Sequence, residues 1–234
     1  MIAKKVILAV VMLLVFNLSF AQTEREVTIT QHSGGEENGF IKIIGEVKNT
    51  YQNALASIRI EIEYFDKSGK PLGVDRFTAK DAGTMAKDEV MASCDVIAPG
   101  ETSPFERARD ISKLKGQFGS YKIKAFGLLL KENNTSAVIK SLQHKPEVKS
   151  FRVTGTYTNT GKEPCKNPKV VVAGYDASGK IQAIAEMYLT NDGSSRGTPL
   201  KQLEVGKSQN FTLLLQNNSG KITQVKAFPS FSWY

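Results

Sequence analysis

Between residues 41 and 64 apolar and polar side chains alternate with a period of two. Ile58, Ile60, Ile62 and Tyr64 are separated by Arg59, Glu61 and Glu63. That spacing places one set on a buried face and the other in water, as in a half-buried β-strand. Ile41, Ile43 and Val47 follow the same rule around Gly45, and Phe151, Val153 and Tyr157 repeat it around Gly155. Lys67-Ser68-Gly69-Lys70 and Ala177-Ser178-Gly179-Lys180 read as tight turns in which glycine supplies the positive φ. Asn49-Thr50 and Asn159-Thr160-Gly161 end strands, and Pro99-Gly100 turns the chain into a strand through Phe105. Turns recur about every 8–12 residues and no long 3.6-residue period is present, which predicts antiparallel β-sandwiches of roughly seven strands per hundred residues. Ile111 to Phe118 is expected to be a short helix or an irregular connection.

The pattern is written twice. Gly45-Glu46-Val47-Lys48-Asn49-Thr50 is matched by Gly155-Thr156-Tyr157-Thr158-Asn159-Thr160, and Phe65-Asp66-Lys67-Ser68-Gly69-Lys70 by Tyr175-Asp176-Ala177-Ser178-Gly179-Lys180. Pro99-Gly100-Glu101 with Phe105 corresponds to Val205-Gly206-Lys207 with Phe211. Ile123-Lys124-Ala125-Phe126 corresponds to Val225-Lys226-Ala227-Phe228, and Gln31-His32 to Gln143-His144. Conserved order with a slowly drifting offset indicates a duplicated module. The expected division is residues 22–130 and 131–234, with the boundary in the polar run Lys131–Ser136.

Gly-x-Val-x-Asn-Thr, then an alternating strand ending aromatic-Asp-x-x-Gly-Lys, then Ala-Pro-Gly-Glu-Thr, resembles the FxLYD family of extracytoplasmic bacterial domains. The first copy carries Gly45, Val47, Asn49, Phe65-Asp66, Gly69 and Ala98-Pro99-Gly100-Glu101-Thr102. The second departs from it at Tyr157, at Gly174 inside the strand, and at Leu203-Glu204-Val205-Gly206 in place of the Pro-Gly turn. The resemblance implies two tandem immunoglobulin-like β-sandwiches on an exported protein. It supplies no catalytic residue, because the family's motifs are those of turns and strands, and a shared fold does not assign a function.

Composition narrows the picture further. The 234 residues contain 31 Lys+Arg, 23 Asp+Glu, 2 His and 2 Cys, and 41% are hydrophobic, a globular composition. Residues 1–21 read as a secretory signal peptide, with Lys4 and Lys5, an apolar run from Val6 to Phe16, and Ser19-Phe20-Ala21 before the cut. Cleavage leaves 29 basic against 23 acidic residues, a net charge of +6 without a membrane span. The protein is then expected in the periplasm, at the cell envelope or outside it. Export leaves two readings of the cysteines, a Cys94–Cys165 disulfide between the copies or two separate thiols. The lysines are dispersed and form no basic stripe, which argues against nucleic acid. The partner expected for the excess charge is an envelope or surface protein or a glycan.

The candidate chemistry is sparse. His32 and His144 at matched places would lie a domain apart. Asp66 and Asp176 sit in Asp-x-Ser-Gly turns that lack the further oxygen ligands of a calcium loop. No Gly-x-Ser-x-Gly is present, Ser112 begins no Ser-x-x-Lys, and Ser208 and Ser219 lie in turns without a base. Cys94 precedes Asp95, whose charge would raise a thiol pKa, and Cys165 is placed in a loop whose lysines favour thiolate. Glu61 with Glu63 is read as a solvated strand face, and Asp88 with Glu89 as part of a charged loop. Asn133, Asn134, Asn210 and Asn217 begin Asn-x-Ser/Thr sequons read as turn residues, and the tail Phe228–Tyr234 as a last strand with an exposed aromatic end. Catalytic, cofactor and metal sites are therefore all expected to be absent. The favoured reading is a non-catalytic binding or structural protein that presents sheet edges or loops, above all the loop from Lys80 to Ser93. The alternatives are an envelope hydrolase that brings His144, an acid and a Ser or Cys together at the junction, and a carrier that holds a small ligand or lipid in a sandwich cavity.

Overall fold

The computed structural model describes residues 24–75 and 83–232. The segment 1–21, expected to be a signal peptide, lies outside the described residues, as do Trp233 and Tyr234 of the aromatic tail. The first half of the chain forms β1 (Glu24–Glu26), β2 (Thr28–Glu37), β3 (Phe40–Lys48), β4 (Leu55–Phe65), β5 (Pro71–Leu72), β6 (Val74–Asp75), β7 (Thr84–Met85), β8 (Asp88–Met91), β9 (Val96–Ile97), β10 (Thr102–Asp110) and β11 (Ser120–Leu129). The second forms β12 (Ala137–Pro146), β13 (Ser150–Asn159), β14 (Cys165–Tyr175), β15 (Ile181–Tyr188), β16 (Gln202–Leu203), β17 (Ser208–Gln216) and β18 (Gln224–Ser232). The expected connection after Asp110 is one 3-10 turn, Ile111–Lys113, whose start is capped by the Asp110 carboxylate.

The protein is all-β and its strand pairs are antiparallel. In the first half a sheet ordered β1-β11-β4-β5, with β8 and β9 also on β4, faces a sheet ordered β10-β3-β2. In the second half a sheet of β15, β14 and β16, with β18 also on β14, faces a sheet ordered β12-β13-β17. β2, β3 and β10 thus find counterparts in β12, β13 and β17, and β4 and β11 in β14 and β18.

The recurring motifs do the same local work in each half. Asn49 Nδ2 donates to the carbonyls of Asn53 and Ile97 while its Oδ1 accepts from Tyr51 N. Asn159 bonds the carbonyls of Glu163 and Leu203 and accepts from Gly161 N in the same way. Each asparagine ties the end of one strand to two others with a side chain that is wholly buried, so each buried polar group is satisfied. Gly45 lies opposite Phe105, and a Cβ placed on it would stand 2.5 Å from the ring and 2.6 Å from the Gln31 carbonyl. Gly155 has the same relation to Phe211, with a milder approach of 2.8 Å. The glycine is required because an aromatic ring on the neighbouring strand lies across it, covering backbone that has no side chain of its own.

Two sequence matches are out of register with the ladders. His144 pairs with Val153, the counterpart of Ile43, and Ile43 pairs with Gly34. His144 therefore corresponds to Gly34 and not to His32. Each strand carries one bulge, between Ile29 and Gln31 in β2 and between Lys140 and Gln143 in β12, so the ladders keep an offset of 110 residues whereas the two Gln-His pairs are 112 residues apart. The Lys-Ala-Phe motifs are displaced likewise, since Ile123 pairs with Ile62 whereas Val225 pairs with Gly174, the counterpart of Tyr64. Both displacements equal two residues, the strand period, so inside and outside are preserved and the pattern conceals the shift.

Ile41, Ile43 and Val47 on one face of β3 pack with Ile58, Ile60, Ile62 and Tyr64 of β4 and with Phe105. On its other face Ile44 is buried in the same cluster as Val171, Ala173, Tyr175, Ile181 and Phe228 of the second half. β14 is two-sided as well, because Val170 and Val172 enter a second cluster with Val153, Tyr157, Phe211, Leu213 and Leu215. The two sheets that meet between the halves therefore behave as core strands, apolar on both faces.

Gly45→Ala is expected to cost about 1–3 kcal/mol of stability, the usual penalty of overpacking, and Gly155→Ala less. Urea unfolding should show Phe105→Leu recovering part of the loss at Gly45 only. Equal effects at both glycines, or no coupling to Phe105, would contradict the ring-over-glycine account.

Candidate functional site

Where the two halves meet, a cleft of about 760 Å³ opens along the end of their shared interface. β2 supplies Ser33–Glu37, β3 supplies Lys42 and Ile44, and β10 supplies Glu106. The second half contributes the Asp176–Lys180 turn, Ile181–Ile184 of β15, and Gln216 to Lys221 after β17. The floor is half apolar, at Ile44, Ile181 and Ile184, and the rim is polar. Lys42 and Glu106 pair across neighbouring strands at 3.0 Å.

The cleft exists because the interface beside it is held by buried polar contacts. Glu46, on the Ile44 face of β3, is only 6% exposed. Its carboxylate accepts from Thr102 Oγ1 at 2.9 Å, Tyr175 OH at 2.9 Å and Gln31 Nε2 at 3.2 Å. Burial, then the facing Glu46 charge, pushes the Tyr175 phenol well above its ordinary value, so it stays a donor. Gln31 also donates to the Gly179 carbonyl at 3.2 Å and accepts from Ile181 N at 3.1 Å. Further along, Asp95 N donates to Ser230 Oγ, and Lys169 lies 3.8 Å from Asp95 and 3.1 Å from Glu186. Alternation alone would place Glu46 in water, and nothing in its local sequence distinguishes it from Lys48.

Asp88 is where the structure corrects the sequence most. It is not in a solvated loop. Residues 88–91 pair with Ile62–Arg59 of β4, and Asp88 is 1% exposed. Arg107 bonds it through two nitrogens at 2.8 and 2.7 Å, Arg109 through two more, and Tyr64 OH donates at 3.1 Å. Burial opposes the charged carboxylate, but Arg109 and Arg107 together outweigh it, so Asp88 sits below the usual carboxylate range. The strand from Phe105 carries both arginines at alternate positions, in phase with the buried Phe105, and that spacing was the available signal. The described part of the Lys80–Ser93 segment is accordingly paired in sheets at residues 84–85 and 88–91, with Asp88, Ala92 and Ser93 buried and Glu89 and Met91 exposed, and its residues 80–82 lie outside the described residues.

The remaining candidates separate. Cys94 and Cys165 are both buried free thiols. Cys165 opens β14 and is fully buried, so it is not a loop residue; burial raises its pKa and outweighs the opposing contact with Tyr157. Burial likewise pushes the Cys94 thiol up to about 12. A smaller cavity of about 360 Å³ lies beside Cys94, between Phe228, Phe231, Ala137 and Ile139. His32 Nδ1 is 2.9 Å from Tyr121 OH, and His144 meets the Phe151 ring edge-on; neither lines a described cavity. Asp66 and Asp176 each accept from a serine N–H, the same serine's hydroxyl and a lysine N–H, a turn repeated atom for atom. Glu61 is less wet than expected, held between Arg59 and Lys87. Among the described residues no cluster of three or more His, Cys, Asp or Glu is placed to hold a metal, and no helix is long and apolar enough to cross a membrane.

No family model matches the chain, and no curated protein matches it. Among solved structures the chain is similar to red sea bream transglutaminase, with a TM-score of 0.28 and 9% identity over 89% of this chain and 29% of that one. The chain thus spans under a third of that enzyme's length, and a likeness so distant bears on no function.

Asp88→Ala leaves two guanidinium groups facing an emptied acceptor and should cost about 3–5 kcal/mol. The wild-type Asp88 contribution is fully present above the ordinary carboxylate value near 4 and is lost as pH falls through the lower folded value. The stability gap between wild type and Asp88→Asn should therefore close in acid and stay constant above about pH 5; a gap that widens in acid would reverse the assignment. Neither thiol should react with a bulky aromatic disulfide at pH 8 until the chain unfolds, and rapid labelling of the folded protein would contradict the burial of both.

Proposed function

We propose that this is an exported, non-catalytic binding protein of the bacterial cell envelope, in which two FxLYD-like immunoglobulin-type modules, residues 22–130 and 131–234, follow a cleaved signal peptide. Its partner is an envelope or surface protein or a glycan, held in the cleft where the two halves meet. One observation carries this reading. The cleft is walled by both halves, and Glu46 and Gln31 join those walls through a buried hydrogen bond from Tyr175 and two less buried ones to Gly179 and Ile181. A surface assembled in this way is ordered before its ligand arrives, which reduces the entropy lost on binding. The cleft also combines an apolar floor with a hydrogen-bonding rim, the usual composition of a recognition site. The Lys80–Ser93 segment supports the reading less well, because residues 84–85 and 88–91 are already paired in sheets and Asp88 is held by two arginines.

A photoreactive residue at Gln182, in the cleft wall, should crosslink one defined component of envelope fractions. The same group at Val148, which is 99% exposed in the β12–β13 turn, should not. Equal labelling from the two positions would remove the cleft from the reading.

A further inference from the structure

The cleft is bordered by a strand edge with an unused main chain. β15 pairs with β14 on one side and ends its sheet on the other, and β2 ends the sheet that floors the cleft. Exposed edges are commonly protected by lysine, proline or a bulge. The edge strand β12 has Lys140, Lys145, Pro146 and a bulge, β10 has Pro104 and two arginines, and β18 has Pro229. β15, reading Ile-Gln-Ala-Ile-Ala-Glu-Met-Tyr, has neither lysine nor proline, and its one irregularity is a bulge at Gln182, beyond which residues 183–188 pair regularly with β14. Its first four residues line the cleft.

A second, independent observation shows what this edge accepts. The Gln31 side-chain amide donates to the Gly179 carbonyl and accepts from Ile181 N, bracketing Lys180. A donor and an acceptor placed on either side of one residue are what a neighbouring parallel strand offers. The first rung beside β15 is thus already filled by an amide, and the cleft continues from that rung along Ile181–Ile184.

We infer that the cleft binds an extended peptide segment of a partner protein, which adds to the free edge of β15 as a further strand of its sheet. The inference rests on the binding function proposed above and names the class of partner. Main-chain hydrogen bonds to β15 would hold the segment, and alternate side chains would select it. One set points at Ile44 and Ile184 on the floor and should be apolar. Lys180 and Lys221 on one wall and Glu36 and Glu37 on the other favour a segment with charges of both signs. A glycan fits less well, since sugar rings dock on aromatic faces and no aromatic side chain is among the described residues lining the cleft.

Gly35 provides the test. It lies on the cleft side of β2, and a Cβ added there meets nothing within 4 Å, so Gly35→Trp should fill the cleft and leave the fold intact. A library of random linear peptides selected on the full chain should yield sequences with an apolar residue at every second position. Gly35→Trp should weaken their binding at least about tenfold and Gly35→Ala less than about twofold, with unchanged melting temperatures for both. Bound peptide should slow hydrogen exchange at the amides of Ile181–Ile184. Peptides indifferent to Gly35→Trp, or no slowing at those amides, would overturn strand addition. So would failure to enrich any peptide while envelope glycans on an array bind and are displaced by Gly35→Trp, although the proposed binding function would then stand. Failure of both probes to bind would remove both readings. A concentration-dependent dimer protecting the same amides would assign the edge to a second copy of the chain and overturn the partner peptide.

Discussion

The structure depends on β3 being buried on both faces. A strand covered on one side can place any polar residue on the other, but β3 has no such side. Its inner face is flattened at Gly45 so that Phe105 can lie across the backbone, and its outer face carries Ile44 and Glu46 beneath the second half of the chain. A carboxylate in that position is tolerated only because Gln31, Thr102 and Tyr175 all donate to it. Two of those donors come from the first half and one from the second. Satisfying Glu46 therefore fixes how the halves meet, and that in turn places β15 beside the outer face of β3 and leaves the cleft at the end of the contact.

The charged cluster around Asp88 has a different role. Buried Arg109 and partly buried Arg107 share one carboxylate delivered on β8, so that strand is bound to the sheet by charge as well as by backbone pairing. A buried pair of this kind is weak evidence of net stability compared with an apolar core, yet removal of one partner is costly. It secures the far side of the first half. No residue of the cluster lines the cleft, so it is separate from the polar groups of the proposed binding site.

The proposed binding at the cleft and the proposed strand addition at β15 are connected through Gln31. The same side chain that satisfies Glu46 also occupies the first pairing position beside β15. The interface and the proposed peptide site are then consecutive parts of one hydrogen-bonded edge, the first closed within the chain and the second open.

The amino-acid sequence by itself determined the strands, the turns and the repetition of both, because these follow from local rules: period-two alternation, glycine at positive φ, aspartate and asparagine bonding nearby backbone. Asp66, Asp176, Asn49 and Asn159 were legible for that reason. Short motifs could not resolve register, since a shift of two residues in β11 or β12 leaves every side chain on its original face. Burial of Glu46, Asp88 and Cys165 was illegible too, because each belongs to a stretch that reads as solvated strand or loop and is buried only by elements distant in sequence. The tertiary structure alone decided which faces were covered twice, which carboxylates needed donors and which strand edge remained free. Those outcomes depend on contacts between residues 15 to 150 positions apart, and no local period records such contacts.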